Sequence, residues 1–182
     1  MTMLAQPVDP EEQNHCVRQM HYFLILSDED KERFEKRFAV PLLNNYGSTE
    51  TLVGFVTDPP VGESRWPSVG QVGPDYELKI CDESGAEVPQ GRNGEIYIRG
   101  EMGISLMQGY WKRPDATGEA VIDGWYHTGD WGYVDPDGWL FFADRRHDLI
   151  KRNGESVASG EIENLLRQIP EVSDAAVVGV CN

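Results

Sequence analysis

The chain has 182 residues, 40% of them hydrophobic, which suffices for one sizeable core or for one domain and part of a second. Sixteen Lys and Arg stand against 31 Asp and Glu, a net charge of −15; such a surface repels a phosphate backbone and argues against nucleic acid as a partner. Cys16, Cys81 and Cys181 lie far apart, which speaks against a zinc site or disulfide framework and fits a reducing cytoplasm. No apolar run approaches the roughly 20 residues of a membrane span, so no membrane association is expected. Residues 1–15 lack the basic and apolar regions of a signal peptide.

Residues 1–19 are polar and irregular, with Pro7 and Pro10. Residues 21–26, HYFLIL, form a continuous apolar run that predicts a strand buried on both faces. Ser27 then caps a helix with Asp28, Glu29 and Asp30 in its first turn, and Phe34 and Phe38 share one face. Residues 40–43 predict the next buried strand, which completes the rhythm of a βαβ unit. Two strands do not make a viable parallel sheet, so the rest of that sheet is expected upstream of Met1.

The stretch NYGSTET, residues 45–51, follows directly. Gly47 predicts a sharp turn that a ligand can approach closely. Ser48 and Thr49 offer hydroxyls to a phosphate oxygen, and Glu50 is a hard oxygen ligand suited to a phosphate-bound Mg²⁺. Tyr46 offers a flat face to a base. The set suits a nucleoside triphosphate. The same residues also suit a polar loop in which Ser48 or Thr49 caps a helix and Glu50 lies in its first turn.

Beyond residue 57 the pattern changes. Residues 58–60 and 63–73 are loop-like, rich in Gly and Pro. Short β-like runs follow at 76–81, 95–99 and 139–143, with turn signals at 82–85, 89–91 and 135–138; this spacing predicts an antiparallel barrel or small sandwich. One helix interrupts it near residues 114–121, with Pro114 in its first turn. In WYHTGD, residues 125–130, Asp130 follows a Gly and could accept both hydroxyls of a ribose, or bond its own backbone as a turn aspartate. His127 reads as a base, a ligand or a half-buried structural histidine.

Residues 144–148, DRRHD, place packed charge between two β-like runs, a favourable position for a hinge. Arg145 could bond ribose or phosphate, or pair at the surface with Asp144 or Asp148. Residues 151–155 form a polar turn. A helix is predicted over 159–168, with Ile162, Leu165, Leu166 and Ile169 on one stripe and Glu161 and Glu163 near its start. Pro170 ends it, and residues 175–180 predict a buried strand.

In order, YGSTE (46–50), GEIYIRG (94–100), WYHTGD (125–130) and DRRHDLIKRNGE (144–155) resemble the motif series of the AMP-forming acyl-CoA synthetases of the adenylate-forming superfamily. The resemblance covers nearly all of residues 21–182. The flanking stretches FLILSDEDKERFEKRF, RWPSVGQVG, YELKICDESG and GYWKRPDAT are most similar to members that act on carnitine-like acids. The resemblance implies a mixed α+β fold of the α/β type. Residues 1–57 would end a βαβ subdomain, 58–144 would form a β-barrel-like subdomain, and 145–182 would be the hinge and the start of a small C-terminal domain.

It further implies an acid–thiol ligase using ATP, Mg²⁺ and CoA. A small carboxylic acid would attack the α-phosphate of ATP, and the CoA thiol would then displace AMP. Tyr46 would stack on adenine, with Asn44 near its edge and Gly47 lining the approach. Thr49 would contact phosphate and Glu50 would hold Mg²⁺, the two forming the catalytic pair. Asp130 and Arg145 would hold the ribose, His147 would be the hinge, and Asn153 and Gly154 would line the CoA path. His147 stands where the family often has Asp or Lys, and Asn153-Gly154 replaces a pair of glycines, implying a tighter passage. These 182 residues contain neither a Ser/Thr/Gly-rich phosphate loop ending in Pro-Lys-Gly nor the family's C-terminal Lys. The chain therefore reads as the middle to late part of a ligase, expected to be inactive alone. A nucleotide-binding module without chemistry and an inactive remnant are the alternatives. Exposed sheet edges would allow pairing with a second copy.

Overall fold

A strand, a helix and a parallel strand open the fold: β1 (Met20–Tyr22), α1 (Asp28–Phe38) and β2 (Leu42–Ser48). Met20, His21 and Tyr22 pair with Leu42, Leu43 and Asn44, which makes the expected βαβ unit. The computed structural model describes residues 3–23, 26–145, 149–152, 155–167, 169 and 171–180, so Leu24 and Ile25 of the first apolar run lie outside the described residues. Ser27 caps α1, its Oγ accepting the Asp30 N–H at 3.1 Å. The three acidic residues of the first turn and Lys36 and Arg37 in the last complement the helix dipole. Ala39, in the left-handed region at φ 52°, ends the helix.

Phe34 is buried with Tyr22, Leu42 and Leu4, and its ring lies 4.6 Å from that of Phe38. Leu4 shows that the irregular N-terminal segment is tied down. Arg37 does much of the tying: its guanidinium donates to the carbonyls of Leu4, Gln6 and Pro7 and pairs with Glu12 at 2.9 Å.

The second strand departs from expectation. It begins at Leu42 and runs through Tyr46 and Gly47 to Ser48, so Gly47 sits in a strand and not at a sharp turn. The register with β3 (Val53–Thr57) slips between Tyr46 and Gly47, a bulge, and the chain turns later, in the 3₁₀ segment Thr49–Thr51 that Leu52 closes at φ 50°. Asn44 and Asn45 have low strand propensity, but backbone pairing on two sides carries them; tertiary context overrides local preference here.

Then come β4 (Gly70–Val72), β5 (Glu77–Cys81), β6 (Gly94–Arg99), α2 (Pro114–Ala120), β7 (Val121–Ile122), β8 (Trp125–Val134) and β9 (Trp139–Arg145). They join one continuous sheet in the order β1-β2-β3-β4-β9-β8-β6-β5, with β7 on β8. Apart from β1 with β2, its ladders are antiparallel. The sheet curls: Phe55 and Val56 of β3, Ile80 of β5, Ile96 and Ile98 of β6, Tyr126 of β8 and Leu140 of β9 share one buried cluster with Leu106. Strands distant in the order thus face one another across a core, the barrel-like arrangement expected. Patterning singles out neither β3 and β4 nor β7 and β8.

A separate hairpin, β10 (Leu149–Arg152) with β11 (Glu155–Ala158), leads into α3 (Ser159–Arg167). Residues 175–180 are not a strand, contrary to their apolar pattern; Val178 and Val180 are exposed, and a strand needs a neighbour to complete its ladder. No helix among the described residues is long and apolar enough to cross a membrane.

Candidate nucleotide-binding site

Two of the sequence motifs meet across the curled sheet. The Tyr46 hydroxyl, on β2, donates to Asp130 Oδ2, on β8, at 2.6 Å across 84 residues of chain. β2 and β8 are not neighbours in the sheet, so the contact spans the interior. Tyr46 is held by its ring, which packs edge-on to Phe55 at 5.1 Å and lies 5.7 Å from Phe142. Burial, then the Asp130 charge, pushes its phenol far above the ordinary range, so it is a neutral donor at any physiological pH.

Asp130 owes its position to a bulge. Glu95 pairs with Trp131 and Tyr97 with His127, so Thr128, Gly129 and Asp130 all stand opposite Ile96. Gly129 adopts φ 73°, where a glycine is needed. The Thr128 hydroxyl donates to the Ile96 carbonyl at 2.8 Å and accepts the Asp130 N–H at 3.0 Å. Arg145 lies on β9 in register with Asp130.

Glu50 is reached through the same neighbourhood. Its Oε1 accepts the Tyr110 hydroxyl at 2.8 Å. Burial pushes the Glu50 carboxyl upward, but the Tyr110 hydrogen bond, then its own backbone N–H and the nearby Ser48 and Tyr126 hydroxyls, outweigh burial and leave it below the usual carboxylate range. Tyr126 lies between the two carboxylates' surroundings: burial and the Glu50 charge raise its phenol, and it neighbours Tyr46 as well. The cluster therefore runs from Asp130 through Tyr46 and Tyr126 to Glu50 and Tyr110. It presents two anionic side chains, each holding a tyrosine hydroxyl.

The remaining predicted residues are placed differently. Thr49 is exposed at the start of the 3₁₀ segment, and Gly47 is half-buried on β2. Asn44 is buried and engaged inside the fold: its side-chain amide donates to the Ser68 carbonyl at 3.3 Å and its Oδ1 accepts the Asn45 N–H at 3.0 Å. His147, Asn153 and Gly154 lie outside the described residues. His127 stacks on Tyr97, its ring centroid 3.9 Å away. Among aromatic side chains, Phe55 is core, Trp66 bonds Asp28 through its indole N–H, and Trp111 is 85% exposed.

Tyr110, Tyr126 and Thr128 carry much of this geometry and were not singled out as site residues. The signal for two of them was present: Tyr126, Thr128 and Asp130 alternate, as one face of a strand does. Two hollows, of about 330 Å³ beside Leu52, Tyr76 and Ile104 and about 190 Å³ beside Leu78, Val88 and Leu140, lie elsewhere. Neither is lined by Tyr46, Glu50 or Asp130; convergent hydroxyls and carboxylates, and not depth, distinguish the candidate site.

Comparison with known proteins agrees with the motif series. Residues 12–111 match the family described as AMP-binding enzyme. A crotonobetaine/carnitine–CoA ligase of Proteus mirabilis (strain HI4320) is 47% identical over 180 residues, covering 98% of this chain and 35% of the relative. Among solved structures, ATP-bound MatB from Rhodopseudomonas palustris is 28% identical with a TM-score of 0.84, covering 98% of this chain and 35% of that one. A benzoate CoA ligase from Burkholderia xenovorans LB400 is 31% identical with a TM-score of 0.82, over 99% and 35%. The chain thus spans about a third of the length of these relatives, and by its matched residues and mixed α+β fold it belongs to the AMP-binding enzyme family.

Proposed function

We propose that this chain supplies the adenosine-holding part of the active site of an ATP-dependent acid–thiol ligase. The observation that carries it is the Tyr46–Asp130 hydrogen bond, which joins two motifs distant in sequence across the curled sheet. Asp130 would accept the ribose hydroxyls, as acidic residues do in other nucleotide sites. Arg145, in register with it, would support the ribose or α-phosphate. Tyr46 and Gly47 would line the base, with Asn44 behind them shaping the strand, and Thr49 would contact phosphate.

The donor set fits Mg²⁺ in one particular way. Among the described residues no group of three or more His, Cys, Asp or Glu could hold a metal ion, but Glu50 favours its charged form. Mg²⁺ is commonly held by one or two carboxylates together with substrate phosphates, and Glu50 with Thr49 beside it would serve in that manner. The ion would neutralise phosphate charge as pyrophosphate leaves. Tyr110 would keep the carboxylate aimed.

The substrate class rests on the relatives. The Proteus mirabilis relative is named for crotonobetaine and carnitine, so a small carnitine-like carboxylic acid is the proposed acid and CoA the proposed thiol. His147 would be the hinge between residues 1–144 and the small domain beginning at 145, and Asn153 and Gly154 would line the CoA path. The proposed setting is cytoplasmic.

Calorimetric titration of the chain with AMP tests the adenosine assignment. The expected result is measurable binding that Asp130→Ala weakens by at least about tenfold, the loss of charge-assisted hydrogen bonds. No AMP binding by the unaltered chain, or equal binding by Asp130→Ala, overturns it.

A further inference from the structure

The GEIYIRG stretch has so far had no part in the site. Its acid, Glu95, is only 6% exposed although it lies on a strand between two others. Burying a carboxylate is costly unless donors meet it, so a buried Glu here calls for a reason. The backbone N–H of Gly129 is one such donor, at 3.2 Å from Glu95 Oε1.

The bulge makes that N–H unusual. Three residues, 128–130, face Ile96 alone, so the regular ladder cannot serve all of their backbone groups. Two side chains take over the ladder's work. The Thr128 hydroxyl serves the Ile96 carbonyl and the Asp130 N–H, and the Glu95 carboxylate serves the Gly129 N–H. Between them they fix the left-handed Gly129 and the residue after it. That residue is Asp130, whose Oδ2 meets Tyr46.

We propose that Glu95 is a positioning residue for nucleotide binding: its buried carboxylate holds the 128–130 bulge so that Asp130 is turned into the site, without itself touching the ligand. The proposal rests on the adenosine reading given above. Without the carboxylate the Gly129 N–H is left unmet, and the bulge is free to relax toward a regular ladder that withdraws Asp130.

The test is AMP titration and thermal melting of Glu95→Gln, Glu95→Ala, Asp130→Ala and the double variant Glu95→Ala/Asp130→Ala. Glu95→Gln keeps an acceptor oxygen and should bind within about threefold of the parent. Glu95→Ala should weaken AMP on the order of tenfold. In the Asp130→Ala background, Glu95→Ala should add nothing, because its effect travels through Asp130. AMP binding by Glu95→Ala equal to the parent, or losses that simply add, overturns the proposal; a residue that only stabilises the fold would give one of those results. Should Glu95→Ala fail to fold, Thr128→Val reads the same coupling, with Thr128→Ser as its rescue, and additive losses again overturn it. If Asp130→Ala binds AMP as the parent does, the adenosine reading fails separately. Exchange of the Gly129 amide then decides whether Glu95 holds the bulge: it should quicken in the variant that loses the acceptor and not in Glu95→Gln, and an unchanged rate rejects the grip itself.

Discussion

Among the described residues two apolar clusters stand apart, and they differ in what their surroundings do. The cluster of Leu4, Tyr22, Phe34 and Leu42 joins the βαβ unit to the N-terminal segment, and its polar surroundings are spent on tethering: Arg37 on Glu12 and on three carbonyls. At the cluster inside the curled sheet, Tyr46 packs by its ring and sends its hydroxyl to Asp130, while the exposed Tyr110 meets Glu50 from outside the cluster. The first region closes on itself; the second aims side chains. The same kind of apolar burial therefore supports a fastening in one place and a binding site in the other.

The largest expected effect separates stability from binding. Phe34→Ala should cost about 3–5 kcal/mol in a urea melt, because the ring is fully enclosed. AMP affinity of the remaining folded protein should stay within about threefold, since distant sites act independently. A large loss of affinity would show the two clusters to be one functional unit. Tyr46→Phe should touch both. Removing the hydroxyl from a charged partner costs about 1.5–3 kcal/mol of interaction, and because the bond is already made in the ligand-free fold the loss should appear as a lower melting temperature together with weaker AMP binding. Equal melting and equal affinity would mean that the 2.6 Å contact holds nothing in place.

Ser27→Ala should destabilise by about 1 kcal/mol, the usual worth of an N-cap, and should leave the Tyr46–Asp130 contact untouched. Unaltered stability would show that the acidic first turn alone suffices. The smallest effect is confined to acid. The hydrogen bonds from Arg37 hold the Glu12 carboxyl below its ordinary value. A depressed folded-state pKa gives stabilisation that is present above the unfolded value, about 4.3, and lost as pH falls through the folded one. Arg37→Met should therefore flatten the fall in stability between pH 5 and pH 3, roughly. An unchanged slope across that range would remove the Arg37–Glu12 pair from the account.

The βαβ rhythm, the Ser27 cap and the helix at Pro114 were legible because each rests on local chemistry: an apolar period, a capping oxygen, a fixed φ. Asp130 and Glu50 were also legible as residue types. Their geometry was not. The Tyr46–Gly47 pair reads as a turn because Gly usually marks one, yet Val56 and Gly54 of β3 draw it into the ladder. Tyr110 meets Glu50 from 60 residues away, and no local pattern encodes such a meeting. Residues 175–180 show the opposite failure: a continuous apolar run states a preference, and a ladder still requires a partner.

The β8 bulge has a further consequence for how the chain tolerates change in length. Opposite β6 it adds two residues, an even number, so Tyr126 before it and Gly132 after it are buried on the same side. Loss of a single residue between them would swap inside for outside along the rest of the strand and set Trp131 and Tyr133 against the core. Loss of two would restore the phase and leave a plain strand, well packed and empty-handed. Change of length in this segment is thus constrained by parity: an odd step reverses the faces of the strand, while an even one keeps them and removes the bulge that carries Asp130.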